Sequence, residues 1–186
     1  MVIHEQECAY GTINCPELSC KEKVTYMSLM DHLGNAHKNC QNILGEKFKL
    51  NIKIAEVEKF VPVQITAFDN TFFEVGITEN NLKKKNPVMF RWIYFYGDPE
   101  VAKNFFYHVR IKKENTGEEL TYFGQVRSLN EKCEDITESF EAFVVGVVKA
   151  KKFLDDNGNL TLEYKIRNMK AEAKDEDNES GISDNE

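Results

Sequence analysis

The chain has 186 residues, a formal net charge of −7, 41% hydrophobic residues and 11% aromatic residues. That length fits one domain with a small appended module, and the aromatic content argues against wholesale disorder. No apolar run reaches the roughly eighteen residues of a membrane-spanning helix, and the negative charge weighs against a nucleic-acid-binding protein.

The N-terminal segment shows no secretory signal. Residues 1–8 have no basic region followed by an apolar stretch, so we expect a reducing location, in the cytoplasm or the nucleus. There the five cysteines are expected to be thiols or metal ligands rather than disulfides. His4 and Cys8 form only an incomplete second zinc site, because two ligands cannot close one. Cys40 could add a ligand, but nothing in its spacing requires it.

The strongest local pattern is a pair of cysteines followed by a pair of histidines. These residues are Cys15, Cys20, His32 and His37. Two thiolates and two imidazoles are the donor set that Zn²⁺ prefers, so we predict one structural zinc site. Apolar residues at helical intervals predict a helix over 24–37, ended by Gly34 so that His37 turns back to the metal. This helix has no Lys or Arg and is a poor nucleic-acid reader, since phosphate contacts dominate such binding.

After the finger, the hydrophobic period changes to two, which predicts β-strands. Eight segments have this pattern or are rich in β-branched and aromatic residues: 47–54, 60–65, 71–77, 88–96, 106–111, 120–126, 143–148 and 160–166. Pro62 places the second of these strands at an edge or a bulge. A short helix over 99–104 and a hairpin turn over 155–159 are also predicted. The pattern indicates a mainly β fold, an eight-stranded antiparallel β-sandwich with an N-terminal zinc-finger module.

The sequence contains no recognisable catalytic constellation, and we predict no catalytic residue. There is no Gly-rich phosphate loop and no nucleophile elbow. His108 lies in an alternating strand without an identifiable partner, which favours a structural or surface role. Cys133 lies in a polar loop beside acidic residues, which would raise its pKa rather than activate it.

The C-terminal segment, residues 170–186, has a different composition. It contains seven acidic residues and two lysines, with Ile182 as its one large apolar residue. Such a segment cannot bury enough apolar surface to offset the entropy of ordering, so we predict a disordered tail. The predicted organisation is therefore a Cys/His module over 1–40, a sandwich over 41–169 and an acidic tail over 170–186.

Several motifs resemble the seven-in-absentia (SINA/SIAH) family of RING-type E3 ubiquitin ligases. The four finger ligands, with the Lys38 that follows them, match the family's second finger, and His4 and Cys8 look like the closing half of its first. The family's G-x4-A-x-N-F-x-Y run and its last hairpin turn correspond to Gly97, Ala102, Asn104, Phe105, Tyr107 and 157–160. The resemblance covers about residues 4–169.

This resemblance implies a substrate-binding region, in which zinc fingers join a TRAF-C-like β-sandwich that forms a homodimer. Its expected role is to bind protein substrates or adaptors for ubiquitin-dependent degradation. The family's peptide groove falls on Ile43, Val61, Val63 and Ile65, with Val63 and Ile65 where the family has Trp and Met. The edge near Pro62 would accept a peptide by β-augmentation, with pockets of altered shape.

The RING of the family, which recruits the E2 enzyme, is not found in this sequence, nor are the two cysteines that open the first finger. We therefore expect a fragment, a truncated product or a divergent paralogue that works with RING-containing relatives and has no ligase activity of its own. Two alternatives stay open. One is a competent ligase whose RING lies upstream or on a partner, and the other, less favoured, is a nucleic-acid-binding zinc-finger protein.

Overall fold

A computed structural model of the chain describes residues 11–37, 40–53, 62–79 and 86–171. Its strands are β1 (Thr12–Asn14), β2 (Lys23–Thr25), β3 (Gln41–Leu44), β4 (Lys47–Lys53), β5 (Val63–Ala67), β6 (Asn70–Glu79), β7 (Val88–Tyr96), β8 (Phe105–Lys112), β9 (Glu119–Gln125), β10 (Arg127–Ser128), β11 (Phe143–Gly146) and β12 (Asn159–Asn168). Its α-helices are α1 (Leu29–Ala36), α2 (Pro99–Ala102), α3 (Cys133–Ser139) and α4 (Val147–Ala150). Short 3₁₀ turns cover Tyr26–Ser28 and Lys151–Phe153.

Most strands form two stacked sheets. In the first sheet the order is β10-β7-β6-β5-β3, and β11 pairs with β7 beside β10. In the second sheet the order is β4-β12-β8-β9. A separate hairpin of β1 and β2 belongs to the N-terminal module. Aromatic side chains from both sheets meet in the core, where the Phe105 ring lies 5.1 Å from that of Phe72 and 5.5 Å from that of Phe95.

The central strand of the first sheet, β7, is buried on both of its faces. Its seven residues from Met89 to Phe95 are all buried, and a continuous apolar run is typical of a strand covered on two sides. One face contacts the second sheet. On the other face, Tyr94 donates a hydrogen bond to the Glu131 carbonyl (3.2 Å), and Phe90 packs on Phe140 beside α3.

A buried ion pair lies between the two sheets. Arg91 donates from Nε and Nη2 to the two carboxylate oxygens of Glu74, at 2.6 and 2.5 Å, and Tyr164 donates to the same carboxylate at 2.7 Å. Gly76 makes room for this arrangement, because a Cβ at that position would lie 2.5 Å from the Arg91 side chain. Burial raises the pKa of the Glu74 carboxyl, and the Arg91 guanidinium opposes that rise.

The predicted mainly β sandwich with an N-terminal Cys/His cluster is confirmed. Each of the eight predicted segments includes a strand, and the helix at Pro99 begins where Asp98 accepts a hydrogen bond from the Glu100 amide (2.8 Å). Two pairs at the margins of the first sheet, β3 with β5 and β10 with β7, are parallel. The described helices have at most eight residues, and none is long and apolar enough to cross a membrane.

Three local predictions were wrong. The finger helix begins at Leu29 rather than at residue 24, because 23–25 pair with β1 and 26–28 form a 3₁₀ turn; it continues past Gly34 to Ala36. Residues 147–148 leave the predicted strand and begin α4, because the bonding of β11 with β7 ends at Gly146. The polar stretch around Cys133 forms α3, which a sequence pattern misses because it buries only one large apolar side chain, Ile136.

Candidate metal centre and strand edge

The four predicted metal ligands converge in the N-terminal module. Cys15 follows β1, and a tight turn in which the Cys20 amide donates to the Glu17 carbonyl (2.9 Å) returns the chain toward β2. The 3₁₀ turn that leads into α1 is capped by Thr25, whose side chain accepts from the Ser28 amide. His32 lies on α1, and the His37 amide closes that helix by donating to the Leu33 carbonyl (2.9 Å).

The distances between the ligand atoms fit one tetrahedral metal ion. The two Nε2 atoms of His32 and His37 are 3.1 Å apart, Cys15 Sγ is 3.4 Å from His37 Nε2, and Cys20 Sγ is 3.6 Å from His32 Nε2. All four ligand atoms lie within 4.8 Å of one another. A tetrahedral zinc ion requires about 3.3 Å between two nitrogens and about 3.6 Å between nitrogen and sulfur. The residues could therefore hold a metal, and their donor set is the one typical of zinc.

The burial of the Cys15 thiol makes its protonation state depend on whether a cation is bound. Burial, with the neighbouring Cys20, raises the pKa of the Cys15 thiol to about 12. Without a cation this thiol would stay protonated at neutral pH, whereas a coordinated thiol is deprotonated.

Two carboxylates lie behind the histidine ligands. Glu22 Oε2 is 3.3 Å from His32 Nδ1, and Glu17 Oε2 is 3.8 Å from His37 Nδ1, so each imidazole turns Nε2 to the centre and Nδ1 to an acid. Such partners orient a metal-ligating histidine and increase its basicity. These acids were not predicted from the sequence, although Glu17 and Glu22 each follow a predicted cysteine ligand by two residues.

A Glu17→Gln substitution should weaken metal binding about tenfold, because it removes the negative charge behind His37. The same change at Glu22 should have a smaller effect, since that side chain is 72% exposed and Glu17 only 15%. Competition for Zn²⁺ with a chromophoric chelator measures both affinities. Equal affinity in wild type and Glu17→Gln would contradict this role for the carboxylate.

The finger packs against the outward face of the first sheet. The Tyr26 and Tyr96 rings lie 5.7 Å apart, and Tyr96 donates a hydrogen bond to the Tyr26 carbonyl (2.6 Å). The Tyr26 hydroxyl donates to Asn130 at 2.9 Å. This hydrogen bond joins the finger to the segment that precedes α3. Leu29 and Leu33 on α1 are buried in the same continuous hydrophobic core as the sandwich. The metal centre is therefore part of a module that is held against the first sheet.

The predicted peptide-groove residues do not form one exposed surface. Val63 and Ile65 are buried side chains of the core, with Ile65 wholly covered, and Ile43 is half-buried on β3. Val61 lies outside the described residues, as do His4 and Cys8 of the incomplete zinc site. The edge expected near Pro62 is covered as well, because β3 pairs with β5 along its whole length.

The free edge of the first sheet is β3 instead, as far as the described residues show. Gly45 follows β3 and donates its amide to the Thr66 carbonyl (2.9 Å). In a parallel ladder alternate residues bond to the neighbouring strand. The backbone amides and carbonyls of Asn42 and Leu44 therefore point away from β5, and the Leu44 side chain is 78% exposed.

Three further residues of the described chain, Cys40, Cys133 and His108, lie apart from the metal centre. The Cys40 thiol donates to the Pro62 carbonyl at 3.1 Å. Burial, with the neighbouring Glu134, raises the pKa of Cys133 to about 11, which keeps it a poorly nucleophilic thiol. His108 lies half-buried on the outward face of β8.

Comparisons with known proteins agree with this architecture. The family model described as "Sina, TRAF-like domain" matches residues 65–165, which cover β6 to β11 and most of β12. The chain is also similar to the protein named E3 ubiquitin-protein ligase siah-1 from Caenorhabditis briggsae, at 23% identity over 188 aligned positions. That alignment covers 97% of this chain and 42% of the relative, so the chain spans less than half of the relative's length.

Proposed function

This chain belongs to the Sina family, as its finger and hairpin motifs indicated, and from that premise we propose that it is a protein-interaction module of a ubiquitin ligase system. It would bind protein substrates or adaptors that are destined for ubiquitin-dependent degradation. The observation that carries the proposal is the match of the family's TRAF-like domain to the sandwich, together with the finger packed on it. The relative named as an E3 ubiquitin-protein ligase supports the same process.

The proposal assigns one structural Zn²⁺ to Cys15, Cys20, His32 and His37. These four residues supply the donors, and Glu17 and Glu22 orient the imidazoles from behind. A structural zinc supplies folding free energy to a small module that lacks a hydrophobic core of its own. The folded finger then holds Tyr26 against Tyr96 on the outward face of the first sheet.

The proposed binding surface is the free edge of β3. An extended peptide can add to such an edge through backbone hydrogen bonds, while side-chain contacts provide specificity. Asn42 and Leu44 supply the outward backbone groups, and the exposed Leu44 side chain supplies apolar contact. The buried Val63 and Ile65 act through the core beneath this strand rather than by touching the peptide.

An Asn42→Pro substitution should weaken peptide binding about tenfold, because it removes an outward amide. The probe is a labelled peptide with the family's Pro-x-Ala-x-Val-x-Pro pattern, measured by fluorescence anisotropy. The matched control is Asn42→Thr, which keeps the amide and favours a strand. If both variants bind the peptide measurably and with equal affinity, the peptide does not bind along the β3 edge. No binding by wild type would refute this peptide class for the protein.

Self-association and ubiquitin transfer complete the proposal. By its resemblance to the family, the chain would form a homodimer and present two copies of the binding edge. Recruitment of the E2 enzyme would come from a RING-containing relative in the same assembly. The protein itself would contribute recognition of the target and its position relative to that RING.

A further inference from the structure

The outward face of the second sheet is strongly basic. Strand register brings side chains from β4, β12 and β8 onto this one face. We call it the basic face, defined by Lys47, Lys49, Lys53, His108, Arg110, Lys112, Lys165 and Arg167. The acidic side chains that pair with it are Glu163, Glu119 and Glu114; Glu163 is already shared by Lys49 (2.5 Å) and Arg110 (2.5 Å), and Glu114 lies 3.4 Å from Lys112. A positive surface of this size contrasts with the net charge of −7 of the whole chain.

The centre of the basic face holds like charges without a counterion. Lys47 and Lys165 lie directly opposite each other in the β4–β12 pair, and His108 is the next residue across, on β8. Like charges in directly opposite positions destabilise a sheet. Neither lysine has an acidic partner among the described residues, and both line one shallow depression with His108. The acidic residue that lines this depression is Glu163, which is already paired with Lys49 and Arg110. This arrangement favours an anionic occupant.

The chain leaves the described structure beside this face. β12 ends at Asn168, and the Met169 amide donates to the Asn104 carbonyl (3.0 Å), next to β8. The fifteen residues that follow Ala171 contain seven acids and one lysine, so they carry nearly all of the chain's net charge of −7. An extended segment of that length spans at most about 50 Å. The face is about 33 Å along β12 and about 14 Å across its four strands, so the segment can reach all of it.

We propose that the acidic segment 172–186 docks in cis on the basic face and occupies the depression between Lys47, Lys165 and His108. The attachment at Ala171 gives the segment an effective concentration in the millimolar range, so weak charge pairing is enough to keep it bound. An acidic segment of a partner protein would have to displace it. The tail therefore acts as an internal competitor for this second surface, which is separate from the β3 edge.

The first test follows the backbone amides of the ¹⁵N-labelled full-length chain by NMR, in about 20 mM and about 500 mM NaCl. We expect amide signals of the tail and of residues near Lys47 and Lys165 to move together as salt releases the segment. In Lys47→Glu/Lys165→Glu the tail signals should already lie at their high-salt positions in low salt. This double reversal keeps a like-charged pair in the sheet, so the repulsion between the two positions is matched.

The control variant is Lys149→Glu/Lys152→Glu, which makes the same change in net charge at exposed positions outside the second sheet. It should keep the wild-type response to salt. If the tail signals in wild type do not respond to salt, or respond equally in both double variants, the proposal is wrong.

The second test uses a fluorescent fifteen-residue polyglutamate as the probe. A full-length variant whose seven tail acids are replaced by Asn and Gln should bind the probe roughly tenfold more tightly than wild type, since its face is vacant. Equal affinity in these two proteins would mean that the tail does not occupy the face, and would overturn the proposal. Failure of the neutral-tail variant to bind the probe would overturn it as well.

Discussion

A Cys20→Ser substitution should reduce the metal content from one zinc ion per chain to nearly none. The hydroxyl is a poor zinc ligand, and three remaining ligands cannot close a structural site. Zinc binding contributes about 10–16 kcal/mol to the folding of finger peptides, so the module should lose its fold when the ion is lost. Tyr26 would then leave Tyr96, and the outward face of the first sheet would become exposed. Elemental analysis of the purified protein measures the metal, and binding of a hydrophobic dye reports the exposed face.

The matched control for this variant is Cys40→Ser. Cys40 lies just beyond the finger, but its thiol contacts the Pro62 carbonyl and is not part of the ligand cluster. It should therefore retain one zinc ion per chain and bind no additional dye. A full complement of zinc in Cys20→Ser would contradict the assignment of this ligand.

Replacing Arg91 with methionine should destabilise the sandwich by about 3–5 kcal/mol, because the substitution leaves Glu74 as an uncompensated buried charge. Glu74 is completely buried and, among the residues that the structure describes, would keep the Tyr164 hydroxyl as its partner. Urea unfolding followed through the fluorescence of Trp92, the single tryptophan of the chain, measures this loss. Trp92 is fully buried and should report global unfolding.

The pH dependence of this loss identifies its cause. Without Arg91, burial should raise the pKa of Glu74 further above its unfolded value. The unfolded state then binds fewer protons than the folded state between the two pKa values, so the variant gains stability as the pH falls. The difference in free energy of unfolding between wild type and the variant should shrink as the pH falls from about 8 to about 5. If this difference in free energy does not change with pH, the cause is lost packing rather than the unpaired charge of Glu74.

The double substitution Glu74→Leu/Arg91→Met provides the control. Replacing both members of a buried pair by apolar residues of similar volume is often neutral or stabilising. The double variant should therefore recover most of the lost stability, apart from the cost of leaving the Tyr164 hydroxyl without its carboxylate. Equal instability of the single and double variants would show that the charge is not the cause.

The local chemistry of this protein can be inferred from its sequence because it depends on short spacings. Cys15 and Cys20 are separated by a turn, and His32 and His37 by little more than one turn of helix, so four ligands can meet without help from the sandwich. The strands could be predicted in the same way. Apolar and polar residues alternate along β4 and β12 because each strand buries one face. The resemblance to the Sina family came from similarly local motifs.

Features that depend on residues far apart in sequence could not be predicted in this way. The Val63–Ala67 strand looked like an edge because of Pro62, yet residues 41–44 cover it through a parallel pairing. Arg91 lies in an otherwise apolar run, and only the approach of β6 and β12 brings Glu74 to it and Tyr164 to the Glu74 carboxylate. The two carboxylates behind the histidines were missed because their contacts depend on the folded turn.

The sequence by itself therefore determined which Cys and His residues cluster, the positions of eight strands and the family, because each rests on periodicity or spacing along one stretch of chain. The short strands β3 and β10 of the first sheet were not predicted. The tertiary structure alone decided which edge is free, where the finger packs and which charges face one another. Strand pairing joins Leu44 with Thr66 in a parallel ladder and Lys47 with Lys165 in an antiparallel one, both between residues far apart in the sequence. No local pattern encodes those distances, so the surfaces proposed to bind partners could be located only in the folded chain.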